Sequence, residues 1–116
     1  MMKKRIDSFV YAFKGIYTLF ATQANARIHG AVLILILIFG FYFHLSATEW
    51  CLIILASAAV LSAEAMNTAL EFVVDLVSPE YHDLAGKAKD VAAAAVLISA
   101  IGAAITGFII FLPKLK

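Results

Sequence analysis

Residues 49–77 read E-W-C-L-I-I-L-A-S-A-A-V-L-S-A-E-A-M-N-T-A-L-E-F-V-V-D-L-V. The first half, Trp50 to Ala63, carries no charge, and the second half carries Glu64, Asn67, Thr68, Glu71 and Asp75. At about 100° per residue these five side chains fall within about 100° of one another on a helix, along roughly 16 Å of axis. A helix over residues 49–77 is about 43 Å long, more than the hydrocarbon core of a bilayer needs. The stretch is therefore expected to cross a membrane and emerge with Glu71 and Asp75 near the headgroups, Glu64 lying deeper at the lipid boundary. Ionisable groups at that depth are costly, which marks the stripe as a candidate site. A solvated helix end is the plainer reading.

The composition agrees with a membrane protein. Of 116 residues, 64% are hydrophobic and 15% charged, with mean hydropathy +0.97, more apolar surface than a soluble domain of this size hides. The net charge of +1 and the lack of a basic cluster exclude a nucleic-acid partner. Cys51, the one cysteine, excludes a disulfide framework.

Working outward, Ile6, Phe9, Val10, Phe13, Ile16, Tyr17 and Phe20 recur at helical spacing, giving an amphipathic helix over about residues 5–22 that lies in the membrane interface. Lys14 interrupts any signal-peptide core, so this segment is expected to be retained. A polar joint follows from Gln23 to Gly30, then a first transmembrane helix over about 28–45. Ser46 or Thr48 can serve as N-cap of the second helix, Ser46 with Glu49 forming a capping-box pattern, and Trp50 suits an interfacial anchor. Pro79 ends the second helix, and Ser78-Pro79 is expected to open the next one, with Ser78 as N-cap. Val91 to Leu112 is uncharged over 22 residues, so the third transmembrane helix is placed at about 86–112. Along it Ala95, Ser99, Ala103 and Gly107 form a small-residue stripe that admits a close helix neighbour. The expected fold is all-α: one membrane-surface helix and three transmembrane helices, forming a single domain over residues 1–116.

Three crossings put Lys3, Lys4, Arg5, Lys14, Arg27, Lys87 and Lys89 on one side and only Lys114 and Lys116 on the other. The positive-inside rule makes the first side cytoplasmic. Six of the eight acidic residues lie between Glu64 and Asp90, so the chemistry is concentrated there. Phosphate-loop and dinucleotide glycine motifs and the H-E-x-x-H zinc pattern are absent. His29 and His44 read as interfacial or packing residues; His82 sits in the charged loop beside Glu80 and Asp83.

The run Glu64-Ala65-Met66-Asn67-Thr68-Ala69-Leu70-Glu71 followed by Asp75 resembles the signature of the prokaryotic diacylglycerol kinase family. Glu80-Tyr81-His82, Ala85-Gly86-Lys87-Ala88-Lys89-Asp90 and Ala94-Ala95-Val96-Leu97-Ile98 continue it in register, as do Lys14-Gly15 and Arg27, so nearly the whole chain is covered. The resemblance implies a homotrimeric kinase of the bacterial cytoplasmic membrane that phosphorylates a lipid hydroxyl, of diacylglycerol or undecaprenol, with ATP and Mg2+. It implies Glu64 as catalytic base, with Asn67 orienting the site. It implies Glu71 as a magnesium ligand on the nucleotide, and Tyr11, Glu80, Tyr81, His82, Lys89 and Asp90 as nucleotide contacts. Gln23 stands where the family usually has a glutamate that serves as a second metal ligand; its amide oxygen can coordinate but lacks the charge. A serine that the family often has after the lysine–aspartate pair is also absent, since Ala92 and Ala93 stand there. The contrasting readings are a non-catalytic membrane scaffold, or a proton or cation pathway. The first leaves Glu64, Asn67 and Glu71 together with Lys89-Asp90 unexplained. The second requires acidic groups through the bilayer, and residues 31–43 and 50–63 hold none.

Overall fold

The computed structural model, which describes residues Met1–Lys116, is a chain of four α-helices: α1 Met2–Thr22, α2 Ala24–Tyr42, α3 Ala47–Val77 and α4 Asp83–Phe111, closed by a short 3-10 turn at Leu112–Leu115. It contains no strand. Three of the helices are long and apolar enough to cross a membrane: Ala24–Tyr42, Ala47–Val77 and the continuous segment Asp83–Leu115. Ten of the 116 residues are buried. The apolar surface of the chain therefore faces outward, as it does when lipid rather than water surrounds it.

α3 and α4 pack along one another, α2 lies against α3, and α1 touches both α2 and α3. The joint between α1 and α2 is shorter than the polarity of residues 23–30 suggests. Only Gln23 leaves the helical conformation (φ −113°, ψ 113°), and α2 is helical from Ala24 rather than from about residue 28. The cause is Arg27, whose Nη1 donates to the carbonyls of Phe20 at 2.8 Å and Ala21 at 3.2 Å. A cation on the last carbonyls of α1 satisfies orphaned acceptors and opposes the negative end of its dipole. The polar residues of the joint thus lie within α2, with one residue between the two helices.

The far end of the bundle is tied together by apolar packing. Leu45, Ile53 and Ile110 form a buried cluster, with Ile36, Trp50 and Phe111 against it. α2 ends with His44 at φ 54°, the Leu45 amide donating to the Gly40 carbonyl at 3.1 Å and the His44 amide to Phe41 at 3.4 Å, the bond pattern of a Schellman cap. The Ser46–Glu49 capping box is formed in both directions, and Lys114 pairs with Glu49 at 3.2 Å, fastening the chain end to the start of α3.

Gly40 is where α2 must lack a side chain. A Cβ there would lie 2.5 Å from Cη2 of Trp50, 2.9 Å from its Cζ2 and 3.1 Å from Cδ1 of Leu45. The indole is rigid and already packed on Phe41, ring centroids 4.9 Å apart. Alanine normally favours a helix over glycine by about 1 kcal/mol, but overpacking here costs about 1–3 kcal/mol. Gly40→Ala is therefore expected to lower the thermal unfolding midpoint in detergent, and Trp50→Leu to remove that penalty in the double variant.

The chain between α3 and α4 differs from the sequence expectation. Ser78 caps the C-terminus of α3, its amide donating to the Val74 carbonyl at 2.7 Å, and does not begin α4. Its hydroxyl donates to the Glu80 carbonyl at 2.9 Å, which turns residues 79–82 away from helix. The N-cap of α4 is His82, whose Nδ1 accepts from the Leu84 amide at 3.1 Å.

Candidate active site

The site grows from the middle of α3. Because that helix is unbroken from Ala47 to Val77, Glu64 and Glu71 stand two turns apart, about 10 Å along the axis. Glu64 is 2% exposed and Thr68 4%. The Thr68 hydroxyl donates to the Glu64 backbone carbonyl at 2.8 Å, so it does not reach the carboxylate. Glu64 Oε1 lies 3.3 Å from Nε2 of His29 on α2 yet lacks hydrogen-bond geometry, and Oδ1 of Asn67 is likewise buried without a donor. A buried acceptor left without a donor costs about 1–3 kcal/mol. Two such acceptors, one helical turn apart, make a place where a hydroxyl or a bound water is taken up favourably.

Beside them lies a mainly apolar cavity of about 380 Å³ between α1 and α3, with Gly15, Ile16 and Leu19 on one wall and Ala65, Thr68 and Phe72 on the other. Further along α3, half-buried Glu71 belongs to no ion pair, since the three pairs of the chain are His29–Glu64, Lys89–Asp75 and Lys114–Glu49. At the crossover to α4 a second, polar cavity of about 140 Å³ is lined by Asp75, Ser78, Glu80, Tyr81, His82 and Lys89 among others. Lys89 Nζ sits 2.6 Å from Asp75 Oδ1, both side chains well exposed. A pair so exposed contributes little stability, so an anionic ligand can draw the ammonium away at small cost.

The residues singled out in the sequence are thus gathered in two groups. Glu64 and Asn67 share the buried face, while Glu80, Tyr81, His82 and Lys89 share the polar cavity. Tyr81 additionally donates to Asp83 at 2.8 Å. Tyr11 stays apart: it is exposed on α1, with the Lys14 ammonium 5.8 Å from its ring centroid. Asp90 is exposed and in no ion pair. Gln23, half-buried at the α1–α2 joint, donates its amide nitrogen to Thr22 at 3.2 Å, which leaves its amide oxygen free. Two contacts escaped the sequence reading. His29 passes for a packing residue until the tertiary fold sets it against Glu64, and Asp75 is seen as Lys89's partner only once the α3–α4 turn closes. The one available signal for His29 was its position at the polar end of an apolar run, the same depth as Glu64.

Comparison with known proteins bears on this arrangement. The prokaryotic diacylglycerol kinase family profile matches residues 10–111. An undecaprenol kinase of Bacillus subtilis (strain 168) is 44% identical over 114 residues, covering 98% of this chain and 93% of that protein. A diacylglycerol kinase of Synechocystis is 46% identical over 109 residues, 93% of this chain, which spans 62% of that longer protein. The diacylglycerol kinase of Escherichia coli (strain K12) is 36% identical over 96 residues, 83% of this chain and 79% of that one. A helical protein with three candidate membrane spans, a buried carboxylate on one of them and a polar, lysine-bearing cavity at the end of that helix has the form of a membrane lipid kinase. The chain belongs to the prokaryotic diacylglycerol kinase family, and its activity is that of a lipid kinase, with ATP as co-substrate.

Proposed function

We propose that this chain transfers the γ-phosphoryl group of ATP to the single hydroxyl of a membrane lipid alcohol, with Glu64 as the base and Asn67 orienting the hydroxyl. The observation that carries this reading is the pair of buried, donorless acceptors, Glu64 Oε1 and Asn67 Oδ1: a hydroxyl donates one proton, and a carboxylate can take it. Phosphoryl transfer depends on positioning and charge neutralisation. The acceptor oxygen attacks the γ-phosphorus as its proton passes to Glu64, and ADP departs. The polar cavity at the α3–α4 turn receives the nucleotide, with Lys89 turning from Asp75 to the phosphates and Glu80, Tyr81, His82 and Asp90 around it; Tyr11 approaches from α1.

Mg2+ fits the donor chemistry. No three His, Cys, Asp or Glu side chains converge on one point, but Mg2+ takes only one or two carboxylates and completes its shell with phosphate oxygens and water. Glu71, free of any ion pair, and the free amide oxygen of Gln23 are the groups that would hold it. Its chemistry there is charge neutralisation on the phosphates. Since the amide carries no charge, Gln23→Glu is expected to lower the Mg2+ concentration needed for half-maximal rate; an unchanged or higher requirement removes Gln23 from the metal site.

α1 is read as an amphipathic surface helix. Phe9, Phe13 and Tyr17 are exposed, and in the membrane interface they enter the headgroup boundary. The excess of Lys and Arg at this end supports a site on the cytoplasmic side of a bacterial inner membrane. A homotrimer is proposed because the family resemblance implies one and because Gly107 on α4 has open space around it, where another helix can approach. Diacylglycerol and undecaprenol both present one hydroxyl at headgroup depth. The match along 93% of the Bacillus undecaprenol kinase favours the isoprenoid alcohol as the faster acceptor.

The test is transfer of label from γ-labelled ATP in mixed micelles with Mg2+, comparing undecaprenol, diacylglycerol and no added lipid. Label in the lipid product supports the reading, and the faster alcohol names the acceptor. Folded, magnesium-saturated protein that labels neither alcohol returns the chain to the scaffold alternative.

A further inference from the structure

We infer that His29 is the positioning residue of Glu64, its Nε2 fixing the carboxylate and supporting its charge at the membrane boundary. The inference rests on Glu64 acting as base. An ionised carboxylate that is 2% exposed is costly without a partner. His29 Nε2, at 3.3 Å, is the only cationic or potentially cationic nitrogen within 4.0 Å of it.

Every other basic group near the helices packed on α3 is engaged elsewhere or outward. From α1, Lys14 lies over the Tyr11 ring. From α2, Arg27 is committed to the Phe20 and Ala21 carbonyls. From α4, Lys89 is held by Asp75, and Lys87 and the acidic Asp90 are exposed. On α3 itself the nearest ionisable group is Glu71, two turns away and of like sign.

The contact joins α2 to α3 across 35 positions of sequence, so it sets the carboxylate relative to a helix that Glu64 does not belong to. Its geometry is that of a bond not yet closed, as catalytic hydrogen bonds often are before substrate binds. The His29 side chain is 28% exposed, beside a groove that also holds Val32, Ser57 and Val60. It can therefore turn to complete the bond without disturbing a packed core.

Two substitutions and one spectrum test this. His29→Phe keeps a flat ring and removes the nitrogen; His29→Gln keeps a donor. His29→Phe is expected to lower kcat about ten- to a hundredfold, the range of one hydrogen bond to a charged group, with KM for MgATP and for the lipid unchanged. His29→Gln is expected to restore most of the loss. In 15N-histidine NMR of the unsubstituted protein in detergent, one of the three histidines is expected to shift when Glu64 is changed to Gln.

Unchanged kcat in His29→Phe overturns the inference, as do equal losses in the Phe and Gln variants, a change confined to KM, or an unmoved His29 resonance. If His29→Phe does not fold, the Gln variant's kcat and the NMR shift decide. Full activity in Glu64→Gln removes Glu64 as base, a separate failure. Inactive Glu64→Gln beside unimpaired His29→Phe removes His29 alone.

Discussion

Glu64→Gln is expected to reduce lipid phosphorylation by about 10²- to 10⁴-fold, the range for removal of a general base, without unfolding the protein. The amide has nearly the shape of the carboxylate, so the buried position beside Thr68 and His29 stays filled. Its charge disappears from a place that is 2% exposed, where an ionised carboxylate carries a desolvation cost, and the His29 contact it gives up has no hydrogen-bond geometry. The thermal midpoint in detergent should therefore stay level or rise while activity collapses. That pairing separates a base from a structural carboxylate. If Glu64 only held α2 to α3 through His29, the same substitution would lower the midpoint and leave appreciable rate. Raising Mg2+ should not restore the Glu64→Gln rate, because the lost step is removal of a proton from the lipid hydroxyl.

The spans were legible because lipid imposes long apolar runs on anything that crosses it, and the start of α3 was legible because Ser46 and Glu49 carry their own local hydrogen bonds. Where the reading strayed, a polar side chain bonded to a backbone group that residue spacing did not single out. Ser78 looks like an N-cap by spacing, but its hydroxyl bonds to Glu80 and the cap passes to His82. Residues 24–30 look like a loop by polarity, yet Arg27 reaches back six and seven positions to close α1. The carboxylate stripe on α3 could be placed from spacing, since a helix converts position to direction. The approach of His29 could not, since nothing local to Ile28-His29-Gly30 says which helix it will face.

The same logic gives the second large effect, at Glu71. Glu71→Gln is expected to depress the rate at ordinary Mg2+ concentrations at or beyond the upper end of the about 10- to 100-fold loss seen when metal-site partners are removed, with KM for the lipid unchanged. Glu71 lies on the Glu64 face about 10 Å further along the helix, in no ion pair of its own. Its charge is therefore available to a cation on the nucleotide phosphates. Gln23, the other proposed ligand, brings no charge to offset the loss, so the Glu71→Gln site would hold the cation by amide oxygens and phosphates alone. Excess Mg2+ should recover part of the rate, because mass action compensates a weakened site. Combining Glu71→Gln with Gln23→Glu moves the single carboxylate across the site and should recover part of it at lower Mg2+. A loss that neither excess Mg2+ nor the second substitution relieves would move Glu71 from metal binding to direct positioning of the nucleotide.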